Sequence, residues 1–231
     1  MKRIILTITV LALFLSLEFC AAVHPVVSPQ FGDKTNEHRI IAVLPFKMIF
    51  TGKKPKKTTE ETIAKIEEVE SIEFQKSFYN MLMHESDESI MRHPIRVDIQ
   101  PVTTTNRLLE ENGIGIHQSW NMSTQELADI LGVDAVVRTR VEKRRYMSDG
   151  TSLGIEIGTA ILDAIFNKDD DYHVGVSMTT NSIKAGCAVI NGRDGSTLWS
   201  YALSDDTDWR LPAESIIERI TANFARNFPY R

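Results

Sequence analysis

Cysteine is scarce in this chain: 231 residues contain two, Cys20 and Cys187. Once Cys20 is cleaved away or acylated, Cys187 has no partner, so no structural disulfide is expected even in an oxidising compartment. Six histidines are present, and no two lie three or four residues apart or beside a cysteine pair. A zinc site built on one helix or knuckle needs such spacing. Phosphate-cradling glycines are also missing: Gly113-Ile114-Gly115 lacks the third glycine and does not join a strand to a helix. Asp169, Asp170 and Asp171 lack the alternating ligands and closing glutamate of a calcium loop. The expectation is a protein without cofactor, metal or catalytic residues.

Long apolar runs are absent beyond the first two dozen residues. There, Lys2 and Arg3 precede an apolar run from Ile4 to Leu17, followed by Cys20, Ala21 and Ala22. This is the plan of a secretory signal, and it is shorter than the ~20 residues of a spanning helix. Two readings stay open for its end. Cys20 is acylated, with Leu17 three residues before it, or the signal is removed after Ala22. Residues 1–22 are therefore read as a signal segment, 23–37 as a flexible tether and 38–231 as one domain. Without Lys2, Arg3 and Glu18, the 26 basic and 31 acidic side chains fall to 24 and 30, a net charge of −6. That balance argues against a nucleic-acid partner.

What is present is an α/β pattern. Arg39 to Phe46 (RIIAVLPF) reads as a strand buried on both faces, and Met48 to Lys57 as a loop. Thr59 to His84 is a long helix with apolar residues at three- to five-residue steps. Ile95, Val97 and Ile99 alternate as a half-buried strand, and Thr105 to Asn112 is a short helix stopped by Gly113. Ser123-Thr124-Gln125-Glu126 is a capping box opening a helix that Gly132 closes, with Met122 and Leu127 as its staple. Strands follow at Val133 to Tyr146, Val174 to Ile183, Gly186 to Ile190 and Thr197 to Leu203, with turn dipeptides at Asn191-Gly192 and Asp194-Gly195. A helix from Pro212 to Phe228 carries Ile216, Ile220, Phe224 and Phe228 at i, i+4. The order β-α-β-α-α-β-β-β-β-α predicts an α+β domain, one mixed sheet with helices packed on it.

Two surface segments are candidates for contact. Lys53, Lys54, Lys56 and Lys57 surround Gly52 and Pro55, either as a solvated loop or as a patch for anionic headgroups. Between two strands, Gly154 and Gly158 form a G-x-x-x-G with Ile161, Leu162, Ile165 and Phe166 after it. Three readings compete: a core-packed amphipathic helix, a partner or oligomer contact, and a membrane-active segment, the last limited by about 14 apolar residues.

Three stretches together carry a family resemblance: IIAVLPF (Ile40 to Phe46), ELADILGVDAVV (Glu126 to Val137) and AVINGRDGSTLWS (Ala188 to Ser200). In this order, after an export signal, they resemble periplasmic lipoproteins of the CsgG, LpoB and TolB N-terminal-domain type, over roughly residues 38–228. The resemblance implies a non-enzymatic envelope scaffold, assembly or regulatory protein. It would bind another envelope protein at the periplasmic face of the outer membrane, held by lipid on Cys20 or soluble, and would be compatible with a homo-oligomer. The alternative it offers is a subunit of an oligomeric CsgG-like secretion channel. The long alternating hairpins of such a channel are not evident in the sequence.

Overall fold

The structure, a computed structural model, describes residues 24–52, 59–145, 182–205 and 213–231. Among them, seven strands form one mixed sheet: β1 (Val26–Val27), β2 (Ile40–Val43), β3 (Lys47–Gly52), β4 (Asp98–Ile99), β5 (Ala135–Arg145), β6 (Ser182–Asn191) and β7 (Thr197–Asp205). Six helices accompany it: α1 (Phe31–Thr35), α2 (Glu60–Glu85), α3 (Val102–Glu111), α4 (Ile116–Ser119), α5 (Thr124–Leu131) and α6 (Ala213–Arg226). The α+β architecture expected from the pattern is what forms.

The strand order is β1-β7-β6-β5-β2-β4, and β3 continues beside β5 where β2 ends. β2, β3 and β4 run in parallel pairings, while β5, β6, β7 and β1 are joined antiparallel. Alternation sorts side chains to two faces. Ile41, Val43, Val137, Val141, Cys187, Val189 and Trp199 face a core completed by Phe74 and Phe78 of α2 and by Ile220 and Phe224 of α6. Ala42, Leu44 and Val136 face a smaller core with Leu109 of α3 and Leu127, Ala128 and Leu131 of α5. The stripe foreseen on the last helix is buried throughout: Ile216, Ile220, Phe224 and Phe228. The N-cap bond of the expected capping box forms, with Ser123 Oγ accepting from the Glu126 N–H at 3.2 Å, and Gly132 takes a left-handed φ of 67° to end α5.

Four expectations differ from the structure. Residues 47–52 are a strand, not the start of a loop. Met48 is buried in the core and each residue pairs with β5, from Lys47↔Arg140 to Gly52↔Arg145. Ile183 and Gly186, assigned to two strands by sequence, lie on one continuous strand, because β5 and β7 both pair across the junction. Ile116–Ser119 is a further short helix. Residues 24–37 hold β1 and α1: Val26 and Val27 pair with Ser200 and Trp199, Phe31 stacks edge-on against Tyr230 at 5.4 Å, and Lys34 Nζ reaches Asp194 at 2.7 Å.

Candidate functional site

The residues singled out by sequence lie outside those described: Cys20, the lysines Lys53, Lys54, Lys56 and Lys57, and Gly154, Gly158, Ile161, Leu162, Ile165 and Phe166. Their points of attachment, however, are placed. Gly52 pairs with Arg145, Arg144 with Ser182, and Ile183 with Asp205. The end of β3, the end of β5, the start of β6 and the end of β7 thus lie at one end of the sheet. β1 runs antiparallel to β7, so the chain before Val26 heads toward the same end. The lysine loop leaves from Gly52 and the glycine-containing segment leaves from Arg145. Cys20 is four residues from His24, at most about 14 Å of extended chain.

The same register builds a second feature, which sequence reasoning missed. Two rows of directly opposed residues cross the sheet on the face that α3 and α5 cover farther along. One row is Lys47, Arg140, Gly186, Ala202; the other is Arg138, Ala188, Ser200, Val26. Where the rows pass over β6 and β7 the residues are small, and together with the β3–β5 side they line a half-open groove of about 520 Å³. Its floor is Gly186, Ala188, Ser200 and Ala202, and its walls are Trp120 on one side and Val26 with His24 on the other. Nothing in the alternation of β6 marks these positions as a floor rather than an ordinary solvated face.

The wall near α4 is held by specific bonds. Trp120 Nε1 donates to the Pro45 carbonyl at 3.2 Å. The Arg138 guanidinium donates to the carbonyls of Trp120 and Met122 and to Thr124 Oγ1, clamping the α4–α5 connection onto the sheet. Burial lowers the pKa of Arg138 from its ordinary value, yet a guanidinium stays charged at any pH a protein meets. Arg140 is exposed and lies 3.4 Å from Glu142, and Lys47 Nζ lies 3.4 Å from Asn121 Oδ1. The groove lining contains Lys47, Arg138, Arg140 and His24 and no carboxylate.

Other polar groups are braces. Lys143 and Glu70 form a buried ion pair at 2.7 Å, with the ammonium also 5.5 Å from the centre of the Phe74 ring. At the opposite end of the sheet, His38 is hydrogen-bonded to the Tyr230 hydroxyl at 2.8 Å, and Asp134 accepts from the N–H groups of Arg39 and Ile40. Burial lowers the pKa of His38 and raises that of Tyr230. Burial also pushes the Asp134 carboxyl up, but the two backbone N–H groups with His38 and Arg193 outweigh it and hold the pKa below the usual range. These groups join β2 and β5 to the residues after α6. Cys187 is buried, and burial raises its thiol pKa well above the ordinary value, so it is a core residue rather than a nucleophile. Among the described residues no three His, Cys, Asp or Glu gather as metal ligands, and no helix is long and apolar enough to cross a membrane. Ser152 stands in a Gly150-Thr151-Ser152-Leu153-Gly154 spacing of the nucleophile-elbow type; it too lies outside the described residues.

No known protein family matches the sequence, and no curated protein matches it. Several solved structures are distantly similar. The LpoB C-terminal domain from Salmonella enterica is 9% identical with a TM-score of 0.39, covering 74% of this chain and 84% of that one. Lipoprotein GNA1162 from Neisseria meningitidis is 14% identical with a TM-score of 0.43, covering 81% and 96%. The PelC dodecamer from Paraburkholderia phytofirmans is 14% identical with a TM-score of 0.41, covering 91% and 98%. LpoB is among the proteins that the sequence resembles; at these scores neither activity nor partner passes to this chain.

Proposed function

We propose that this chain is a non-enzymatic envelope scaffold or assembly protein, exported and held beside a membrane by lipid on Cys20, that engages another envelope protein through the open face of its sheet. The observation that carries this reading is the asymmetry of the sheet. One end gathers the attachment points of the prospective lipid site, the lysine loop and the apolar segment Gly154 to Phe166. A diacylglycerol on Cys20 carries two acyl chains, enough for stable anchoring, and the lysine loop leaving from the same end would add attraction to anionic headgroups. Among the described residues, the sheet face over β6 and β7 carries a groove rather than a helix, and exposed sheet surface of this kind is a place for a partner. β1 starts at Val26, six residues after Cys20.

Three measurements test it. Mass spectrometry of the mature N-terminus is expected to find diacylglycerol on Cys20; a free Val23 overturns the anchored form. A photo-cross-linker at Ala202, in cells, is expected to trap a discrete envelope protein, and one at Met83, exposed on α2, is expected not to; equal trapping at both removes the assigned face. Labelling of Ser152 by a fluorophosphonate probe would sink the non-enzymatic reading. Light scattering distinguishes the scaffold from a channel subunit, which requires a ring.

A further inference from the structure

The groove has a charge and a shape that specify its occupant, and Gly186 is the residue that reveals it. A glycine inside a strand weakens the strand, and it usually marks a bulge, a tight bend or the close approach of something else. Gly186 sits within ten-residue β6, paired regularly with Arg140 on one side and Ala202 on the other. Its φ is not positive, and a Cβ built there would meet nothing within 4 Å. Among the described residues, neither the backbone nor the packing requires glycine at that point. Gly192, by contrast, is required, since a Cβ there would come within 2.7 Å of Ala128 Cβ and 2.8 Å of the Asp134 carbonyl.

Resting on the proposed role as a protein-binding scaffold, we infer that the groove over β5, β6 and β7 receives an amphipathic helix of the partner protein, with apolar side chains on the small-residue floor and carboxylates toward Lys47 and Arg140. On the covered half of the same face, that position over the sheet is taken by α5, which sets Leu127 and Leu131 on Ala42, Leu44 and Val136. The floor of Gly186, Ala188 and Ala202 lets a second helix approach with comparable closeness. The charge selects its sign: the chain carries a net −5, yet among the described residues the groove lining holds cations and no acid. Arg140 lies 3.4 Å from one carboxylate, which leaves most of its five N–H donors to a ligand. Basic groups gathered in the groove lining would steer an acidic segment toward it.

The test uses the mature full-length protein and fluorescein-labelled 16-residue helical peptides with one Leu/Ala face and a second face of Glu, Gln or Lys, read by anisotropy. The Glu peptide is expected to bind, more weakly as salt rises, with the Gln peptide weaker and the Lys peptide unbound. Gly186→Leu, which fills the floor without touching the core, is expected to weaken the Glu peptide by about tenfold or more, and Arg140→Glu by a similar factor that vanishes at high salt. Equal binding of the Glu and Lys peptides, or binding indifferent to both substitutions, overturns the inference. So does a photo-cross-link from Ala202 to residues 149–171 of the same chain in place of the peptide, because the groove then belongs to the protein itself. If Ala202 traps an envelope protein in cells while the Glu peptide fails, the helix chemistry is wrong and the scaffold reading survives; if neither occurs, both fall.

Discussion

The two halves of the sheet obey different rules. Around β2, the start of β5 and β4, parallel strands are connected through helices that cover both faces: α2 on one, joined there by the C-terminal α6, and α3 and α5 on the other. Around β6, β7 and β1 the strands pair antiparallel, β6 and β7 through a tight turn at residues 192–196, and among the described residues no helix covers the second face. A parallel connection must leave the sheet and return over it, whereas a hairpin has no such need. On the antiparallel half, among the described residues, small side chains of β6 and β7 line the open face, and the cations beside them stand on β3 and β5. Burial on both faces is expected to concentrate stability in the first half, and the proposed recognition surface lies on the second.

Breaking that contrast begins with the buried ion pair. Glu70→Ala leaves Lys143 uncompensated within the core and is expected to cost about 3–5 kcal/mol in denaturant unfolding, while Glu70→Leu with Lys143→Met together recovers most of it; a small cost for the single change would show that Lys143 escapes to water. Leu127→Ala removes a fully buried side chain from the doubly covered half and is expected to cost about 2–5 kcal/mol. Ala202→Ser, on the bare half, should stay within about 0.5 kcal/mol. Comparable losses at both positions would erase the distinction between halves.

A smaller effect is expected at the strand starts. Asp134→Ala deprives the Arg39 and Ile40 N–H groups of their acceptor and should cost about 1–2 kcal/mol at pH 7. The Asp134 carboxyl has a lower pKa folded than unfolded, so its contribution is complete above the unfolded value, near about 4, and is lost as pH falls through the folded one. The substitution should therefore flatten the acid limb of the stability profile below about pH 4, and an unchanged limb assigns that limb to other carboxylates. The smallest effect has the opposite sign. Gly186→Val is expected to raise stability by about 0.5–1 kcal/mol, since it removes strand glycine entropy where a side chain has room. A more stable protein that no longer traps its partner would show that the glycine serves the surface and not the fold.

Legibility in the sequence followed the range of the forces involved. The capped helix α5 was readable because Ser123, Glu126 and Gly132 interact within one or two turns. The last helix was readable because Ile216, Ile220, Phe224 and Phe228 repeat at helical spacing. β3 was misread because a basic run follows it directly, and its strand character comes from β5, some 90 residues later in the chain. β1 and α1 were read as tether because Pro25, Pro29 and Gly32 break any period. They are ordered by Trp199, Ser200, Asp194 and Tyr230, all distant in sequence. The groove was invisible for the same reason. Its two rows assemble residues from four strands or more, and each row is defined by register.

Taken alone, the order of residues determined that this chain builds an α+β domain, where its four longer helices form, and which of their faces are apolar. Those properties arise from local periodicity and capping. Tertiary structure alone decided that residues 47–52 and 26–27 are strands, that four chain departures share one end of the sheet, and that cations and small side chains line a common trench. Register and strand order depend on free energies summed over many long-range pairs, and no short window of sequence contains them.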